Sequence, residues 1–306
     1  MDFNKILSDP SVKILDLSSN DIGDEGATRL AKALKKNTSL RELKLGYNKI
    51  GDEGSTALAD TLTKNTSLTK LDLLYNYVGD EGATALAEAL KTNTSLITLV
   101  LSSNNIELAG ATALAHALTT NETSSLTSLV LSNNDIRDAG ATQLAKALKT
   151  NTSLRELNLV NSNIRVAGAT ALAKALEINT SLTKLGLSNN QILDGGASAL
   201  AEALTKNETS SLTSLDLSSN EIGYAGAIQL SNVLKTNKTL ITLTLSINQI
   251  GVHGASHLAK ALEQNTSLTT LHLAHNKIED AGATQLANAL TKKETLTILD
   301  LSSNDI

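Results

Sequence analysis

Three of the chain's four tyrosines, Tyr47, Tyr75 and Tyr77, fall close together in its first third. An exposed tyrosine joins a large apolar face to a polar tip, the combination that anchors protein interfaces. Leu74 stands beside them where serine is usual in this slot, and Glu42, Lys44, Lys70 and Asp72 lie just upstream. These eight residues are the candidate partner-binding set. A second reading fits the same tyrosines: their rings cover the thin N-terminal end of the core.

Two further groups invite chemistry. Val100, Val130 and Val160, with Ile97 nearby, form an apolar series that suits a hydrophobic contact and equally suits ordinary strand formation. Four of the five histidines, His253, His257, His272 and His275, fall within 253–275, and His116 stands alone. A zinc site needs three or four converging ligands. His257 belongs to a helical run and His272 to an extended one, so no metal site is expected. His272 and His275 together would make binding pH-sensitive. No G-x-x-x-x-G-K-[ST], H-E-x-x-H or G-x-S-x-G motif occurs. Cysteine is absent, which excludes disulfides, thiolate metal sites and a cysteine nucleophile and fits a reducing compartment. The reading is therefore a non-enzyme without cofactors. A net charge of -5 over 306 residues gives no basic footprint for nucleic acid. No stretch approaches the ~18 apolar residues of a membrane helix. The start, MDFNKILSDP, lacks the basic and apolar regions of a signal peptide. A cytoplasmic location is expected, or secretion by a non-classical route if the chain is a bacterial effector.

The elements that position these residues follow from a repeat. Leu-x-Leu followed by Asn three residues on recurs from Leu15/Leu17/Asn20 to Leu299/Leu301/Asn304, eleven copies in all. The spacing is 28 residues, except for two steps of 30, from 99 to 129 and from 185 to 215. Leu43 and Leu45 alternate as in a strand with one buried face. Ala27, Leu30, Ala31 and Leu34 fall at i, i+3, i+4 and i+7, one face of a helix over 26–36. One strand and one helix cannot close a core alone, so neighbours must stack. Aromatics are 2% of the chain, so that core is leucine, isoleucine and alanine. The glycines at 26, 54, 82, 110 and onward keep the repeat's phase and open the helix where a side chain would crowd the turn. Acidic residues at 24, 25, 52, 53, 80 and 81 suit the positive helix end, and as a rim they could steer a basic partner.

The run from Leu40 to Asn48 matches L-x-x-L-x-L-x-x-N, and these residues resemble the leucine-rich repeat family over positions 12–306. The 28-residue length and full helix resemble its ribonuclease-inhibitor-like subfamily. The resemblance implies an α/β fold, a right-handed βα solenoid or horseshoe with a parallel sheet on the concave face and helices on the convex face. It also implies that the recurrent Asn satisfies backbone groups where each strand ends. Ser162 interrupts that series between Asn161 and Asn163, so a local irregularity is expected there.

Residues 1–11, with Phe3, Ile6 and Leu7, are expected to form a short cap, followed by a single repeat domain over 12–306 whose last repeat is incomplete. The chain ends just after the eleventh strand, which points to truncation, an abrupt natural end, or self-association through the uncapped end. Core positions hardly vary between repeats while the outward strand positions do, from Asp16, Lys44 and Asp72 to Val100, Val130, Asn158 and Gly186. A binding face gives that contrast, and so does drift at solvent-facing sites. The expected function is a protein-interaction module gripping a protein partner on its concave face and strand-exit loops. The alternatives are a regulator such as a GTPase-activating protein, or the ligand-sensing repeats of a larger receptor or bacterial effector.

A last pattern concerns Asn37, Asn65, Asn93, Asn121, Asn151, Asn179, Asn207, Asn237 and Asn265, each followed two residues later by Ser or Thr. Nine glycosylation sequons at one phase of a repeat indicate a repeated turn rather than nine glycans. Asn suits a helix end where the backbone turns left-handed, and the following Thr and Ser can bond the local backbone. Lys293 takes the tenth slot. The two long steps carry the same segment, NETSSLTSL, at 121–129 and 207–215, as a duplicated block would.

Overall fold

The computed structural model describes residues 2–121, 123–291 and 295–306. The chain forms two compact units, residues 1–157 and 158–306, both built from the same strand–helix repeat. Unit one opens with helix α1 (Phe3–Leu7), then alternates β1 (Ile14–Asp16), α2 (Gly23–Leu34), β2 (Glu42–Lys44), α3 (Asp52–Leu62), β3 (Lys70–Asp72), α4 (Asp80–Leu90), β4 (Thr98–Val100), α5 (Leu108–Thr120), β5 (Ser128–Val130) and α6 (Arg137–Leu148). Strand β6 (Glu156–Asn158) contains the unit boundary. Unit two continues with α7 (Val166–Leu176), β7 (Lys184–Gly186), α8 (Leu193–Lys206), β8 (Ser214–Asp216), α9 (Tyr224–Leu234), β9 (Thr242–Thr244), α10 (Gly251–Leu262), β10 (Thr270–His272), α11 (Glu279–Leu290) and β11 (Ile298–Asp300).

Successive strands pair in parallel, β1 through β5 in unit one and β7 through β11 in unit two. The register is one repeat per strand, so Leu15 opposes Leu43, Leu43 opposes Leu71 and Leu71 opposes Leu99. A parallel neighbour needs a crossover, and the helix supplies it. Leu43, Leu45 and Leu30 are fully buried, while Glu42 and Lys44, on either side of Leu43, are half-buried on the other face. Each fully buried leucine contributes about 1.5–3 kcal/mol, which lets a core almost without aromatics hold. α2 starts three residues before the expected run and stops two residues short of it. Phe3 and Leu7 of α1 are buried, and α1 packs on α2.

Two asparagine ladders satisfy the buried backbone. In the first, Asn76 Oδ1 accepts from the N–H groups of Asn48 (3.1 Å) and Ile50 (2.9 Å) of the preceding repeat, and its Nδ2 donates to Leu45 O (2.9 Å). The series continues forward from Ser162 into unit two. The Ser162 N–H donates to Asn190 Oδ1 (3.1 Å), and Asn161 and Asn163 take φ 51 and 55, like Tyr47 and Lys49 at 58. A serine is short enough to be fully buried where asparagine stood, and its Oγ turns to Val160 O in the same turn.

The second ladder is the sequon slot. Asn65 Oδ1 accepts from Ser67 N (3.0 Å) and Leu68 N (2.8 Å), closing the turn from helix to strand, while Nδ2 donates to Leu34 O (3.3 Å) and Asn37 O (3.0 Å) one repeat back. This corrects the expectation of left-handed backbone, because no sequon Asn has positive φ. Asparagine is used here for its amide, which serves two repeats at once. The left-handed residue is the one before each first-ladder position: Ser19, Tyr47, Tyr75, Ser103, Asn133, Asn161, Asn189, Ser219, Ile247, His275 and Ser303. Lys293, in the tenth sequon slot, lies outside the described residues.

The two long repeats treat the second ladder differently. Asn151 Nδ2 still reaches Leu118 O (2.8 Å) across the first insertion. Asn237 instead turns Nδ2 to Thr239 Oγ1 (3.3 Å) in its own loop, and among the described residues no Asn237 donor reaches Leu204 O. Asn237 is accordingly half-buried, whereas the other eight sequon asparagines are buried. A cleft of about 300 Å³ opens at this missing rung, lined by Thr205, Asn207, Glu208, Thr236, Asn237 and Lys238 among others.

Candidate interaction surface

The tyrosine cluster is set by strand register and by the loops that leave β2 and β3. Pairing of Glu42 with Lys70 and of Lys44 with Asp72 fixes four charged side chains on the outward strand face. Lys70 Nζ lies 2.7 Å from Glu42 Oε1, and Lys44 Nζ lies 3.8 Å from Asp16 and 4.0 Å from Glu42. Asp72 Oδ1 accepts from Leu74 N (2.9 Å), tying the strand end to the loop that follows. Asp16 caps Ser18 N in the same way (3.0 Å), and that hydrogen bond holds its carboxyl below the ordinary range.

Above these charges Tyr47 and Tyr75 stack, ring centroids 4.6 Å apart and planes at 19°. Strand spacing alone sets roughly this separation for the same slot in adjacent repeats. Tyr47 N donates to Leu74 O, and Tyr75 N to Ser102 O (both 2.9 Å), so each backbone is locked to the next repeat. A Cβ at Gly46 would stand 3.3 Å from Leu74 O, but the same slot holds Leu74 one repeat on with the same backbone bond, so glycine is not required there. Leu74 is half-buried. Tyr47, Tyr75 and Tyr77 are 52%, 57% and 58% exposed. Beside them Lys49 pairs with Asp21 (2.8 Å), and that hydrogen bond, then the carboxylate's charge, raises the lysine above its ordinary value.

The other sequence groups are placed as follows. Val100 opposes Asp72 on one side and Val130 on the other, and both valines are half-buried on the strand face. His272 Nδ1 lies 3.6 Å from Asp300 Oδ2 across β10 and β11. His253 instead sits on α10, edge-on to Tyr224 of α9 at 6.5 Å. The histidines therefore do not converge, and among the described residues no group of three or more His, Asp or Glu is arranged to hold a metal ion. Of the acidic residues, the aspartates cap helices, and not their own. Asp24 Oδ1 accepts from Gly51 N (2.7 Å) and Gly54 N (2.9 Å) at the start of the next helix, and Asp52 repeats this with Gly79 (2.7 Å) and Gly82 (2.8 Å).

Sequence reasoning missed Ile247. It occupies the same left-handed slot as Tyr47 and Tyr75, is 56% exposed, and stands one repeat before His275 in the same slot. The signal was present: Ser or Asn fills this slot in the other seven repeats.

A leucine-rich-repeat family model, described as the MHP1/HER1/GIP3 LRR domain, matches residues 12–304. The chain belongs to this family. The leucine-rich-repeat chain is also similar in fold to a structure titled "Crystal structure of Rad7 and Elc1 complex in yeast", with TM-score 0.62, 15% identity, 98% of this chain covered and 72% of that one. A structure titled "Leiomodin-1 Actin-Binding Site 2 (ABS2)" aligns with half of this chain (50%) and 87% of its own, at 28% identity and TM-score 0.43. No curated protein matches. Among the described residues no helix is long and apolar enough to cross a membrane.

Proposed function

We propose that this leucine-rich-repeat chain binds a protein partner through the strand-exit loops and strand face of β2 and β3, with Tyr47, Tyr75 and Tyr77 as anchors. The observation that carries the reading is the stacked, exposed tyrosine pair on left-handed backbone. A bulky residue there costs about 1–2 kcal/mol, where Asn or Gly would sit with less strain. Strain at an exposed site is a sign of use elsewhere than in the fold. Leu74 adds apolar area, and Glu42, Lys44, Lys70 and Asp72 form a polar margin whose paired charges contribute orientation more than affinity.

The reading is tested with the intact chain as bait, beside Tyr47→Ala and Tyr75→Ala variants. A specific partner is lost or weakened about tenfold or more by these changes, the equivalent of ~1.4 kcal/mol, while melting stays within a few degrees. A partner retained at full strength by both variants rules out this face.

We further propose that the protein works in the cytoplasm or another compartment without N-glycosylation. Eight sequon asparagines are buried, and their Nδ2 groups hold the second ladder. A glycan attached to that nitrogen before folding would remove a ladder donor and place a polar, bulky group in the core. Directing the chain through a secretory pathway with and without an inhibitor of glycosylation tests this: folded product is expected only with the inhibitor.

A further inference from the structure

The loop between each first-ladder position and the next helix exists in two states. Its key is the residue three positions after the ladder residue. At Gly51, Gly79, Glu107, Arg165 and Gly223 it is extended, with φ from -117 to -90. At Gly23, Arg137, Leu193, Gly251 and Glu279 it is left-handed, with φ from 55 to 62. Residue type does not decide between them, since glycine, arginine and glutamate each occur in both.

The neighbour one repeat back does. Within each unit, the extended loops at 51, 79, 107 and 223 follow repeats carrying Asp24, Asp52, Asp80 and Asp194. The left-handed loops at 137, 193, 251 and 279 follow repeats carrying Leu108, Val166, Tyr224 and Val252 in that slot. The hydrogen bonds explain the correspondence as one peptide plane in two orientations. With Asp present, the plane's N–H points back to the carboxylate, as in Gly51 N to Asp24 Oδ1 (2.7 Å) and Gly223 N to Asp194 Oδ1 (2.7 Å). Its C=O then points forward and accepts from the next repeat, as in Tyr77 N to Ile50 O and Gln249 N to Ile222 O (both 2.8 Å). Without Asp the plane is reversed. The N–H points forward, as in Leu193 N to Asn220 O (3.0 Å) and Gly251 N to Asn276 O (2.9 Å). The C=O points back into the helix, accepting Gly196 N at Ile192 O (3.0 Å) and Gly254 N at Ile250 O (3.2 Å).

The reversal reaches one repeat further. After an extended loop, the residue following the next ladder position is not left-handed, as at Tyr77, Asn105, Asp135 and Gln249; after a left-handed loop it is, as at Lys49, Glu221, Lys277 and Asp305. We propose that the aspartate four residues after a ladder position selects the orientation of this peptide in the next repeat, and that Asp24 thereby acts as a positioning residue for Tyr77. The aspartate wins because one side-chain oxygen accepts from two N–H groups at once, as Asp24 Oδ1 does from Gly51 N and Gly54 N. The part concerning Tyr77 as a contact rests on the partner-binding reading above; the selection itself stands on backbone geometry.

Crystal structures of three variants of the full chain test it. In Asp24→Leu, Gly51 is expected at positive φ and Tyr77 in the left-handed region, its N–H withdrawn from Ile50 O. Asp24→Asn should rescue the extended loop, because both bonds go to the single oxygen Oδ1, which an amide also supplies. In the reverse direction, Leu108→Asp should draw Arg137 N and Gly140 N to the new carboxylate and take Arg137 from φ 55 to an extended value. An Asp24→Leu protein with Gly51 still extended, or a Leu108→Asp protein with Arg137 still left-handed, overturns the proposal. If Asp24→Leu fails to fold, Leu108→Asp decides alone. None of these outcomes depends on whether the tyrosines bind a partner.

Discussion

Tyr47 lies stacked on Tyr75 although the backbone of each is left-handed, at φ 58 and 54. Two effects oppose each other here. The stack is worth about 0.5–1.5 kcal/mol, and each left-handed tyrosine costs about 1–2 kcal/mol. Removing one ring loses the stack, and replacing it by Asn also relieves one strained residue. Tyr75→Asn should therefore leave stability within about 1 kcal/mol of the parent while weakening partner binding. Urea unfolding and a Tyr47/Tyr75 double-mutant cycle measure the two contributions, and a loss of more than about 2 kcal/mol from Tyr75→Asn would contradict this balance.

Ile247 isolates the strain. It shares the left-handed slot, is 56% exposed and has no ring to stack. Ile247→Asn is expected to raise stability by about 1 kcal/mol, read as a higher urea midpoint at unchanged slope. An unchanged or lower midpoint would mean that the isoleucine has packing worth as much as its strain.

The second ladder makes a sharper contrast. Asn65 is buried and serves four backbone groups of two repeats. Leaving buried polar groups unmet costs about 1–3 kcal/mol each, so Asn65→Ala should lose on the order of 3 kcal/mol or more. Asn237, half-buried and without its rung to Leu204, should lose far less on the same change. Equal losses at the two sites would show that the cross-repeat bonds contribute little.

Acid should weaken the fold at identifiable carboxylates. Ser302 holds Asp300 below the ordinary carboxylate value through its hydroxyl and backbone N–H, and Ser11 does the same for Asp9. A carboxyl depressed in the folded state adds stability above its unfolded value, and that contribution is lost as pH falls through the folded value. Asp9 is exposed and Asp300 half-buried at the surface, where solvent screens the charge, so the effect is small. Asp300→Asn should flatten part of the fall in melting temperature below about pH 4 and leave the neutral value nearly unchanged; an unchanged acid limb would remove Asp300 from the account.

The repeat pattern made the strands, helices and leucine core legible, because periods of 2 and 3.6 are written in the apolar residues themselves. The neighbour relation of Tyr47 and Tyr75 was legible for the same reason: constant spacing fixes register. The role of Asn65 was half legible. Its place at a turn followed from the phase, but its bonds to Leu34 and Asn37 depend on how repeats stack. The two loop states were hidden more deeply. They have equal length and share residue types, so Glu107 and Glu279 look alike in sequence, and only the residue 27 positions earlier, Asp80 or Val252, distinguishes them.

The long repeat after Asn207 permits the most demanding check. Its two extra residues carry the turn away from the helix end. Asn207 Oδ1 accepts from Thr209 N (3.1 Å), and Ser210 Oγ takes over the bond to Leu212 N (3.2 Å). The next rung, from Asn237 to Leu204 O, is not made, and a cleft of about 300 Å³ lies beside it; the first insertion, which keeps its rung, has one of about 110 Å³. Deleting Glu208 and Ser211 leaves Asn-Thr-Ser-Leu and restores the 28-residue step. Asn237 should then reach Leu204 O as Asn265 reaches Leu234 O (2.6 Å), and the cleft should close. A buried hydrogen bond gained with its carbonyl satisfied is worth about 1 kcal/mol, and the shorter loop adds a few tenths. Melting should rise, with slower hydrogen exchange at Thr239 and Leu240. A lower melting temperature would show that the insertion is accommodated by packing that the shorter turn cannot make.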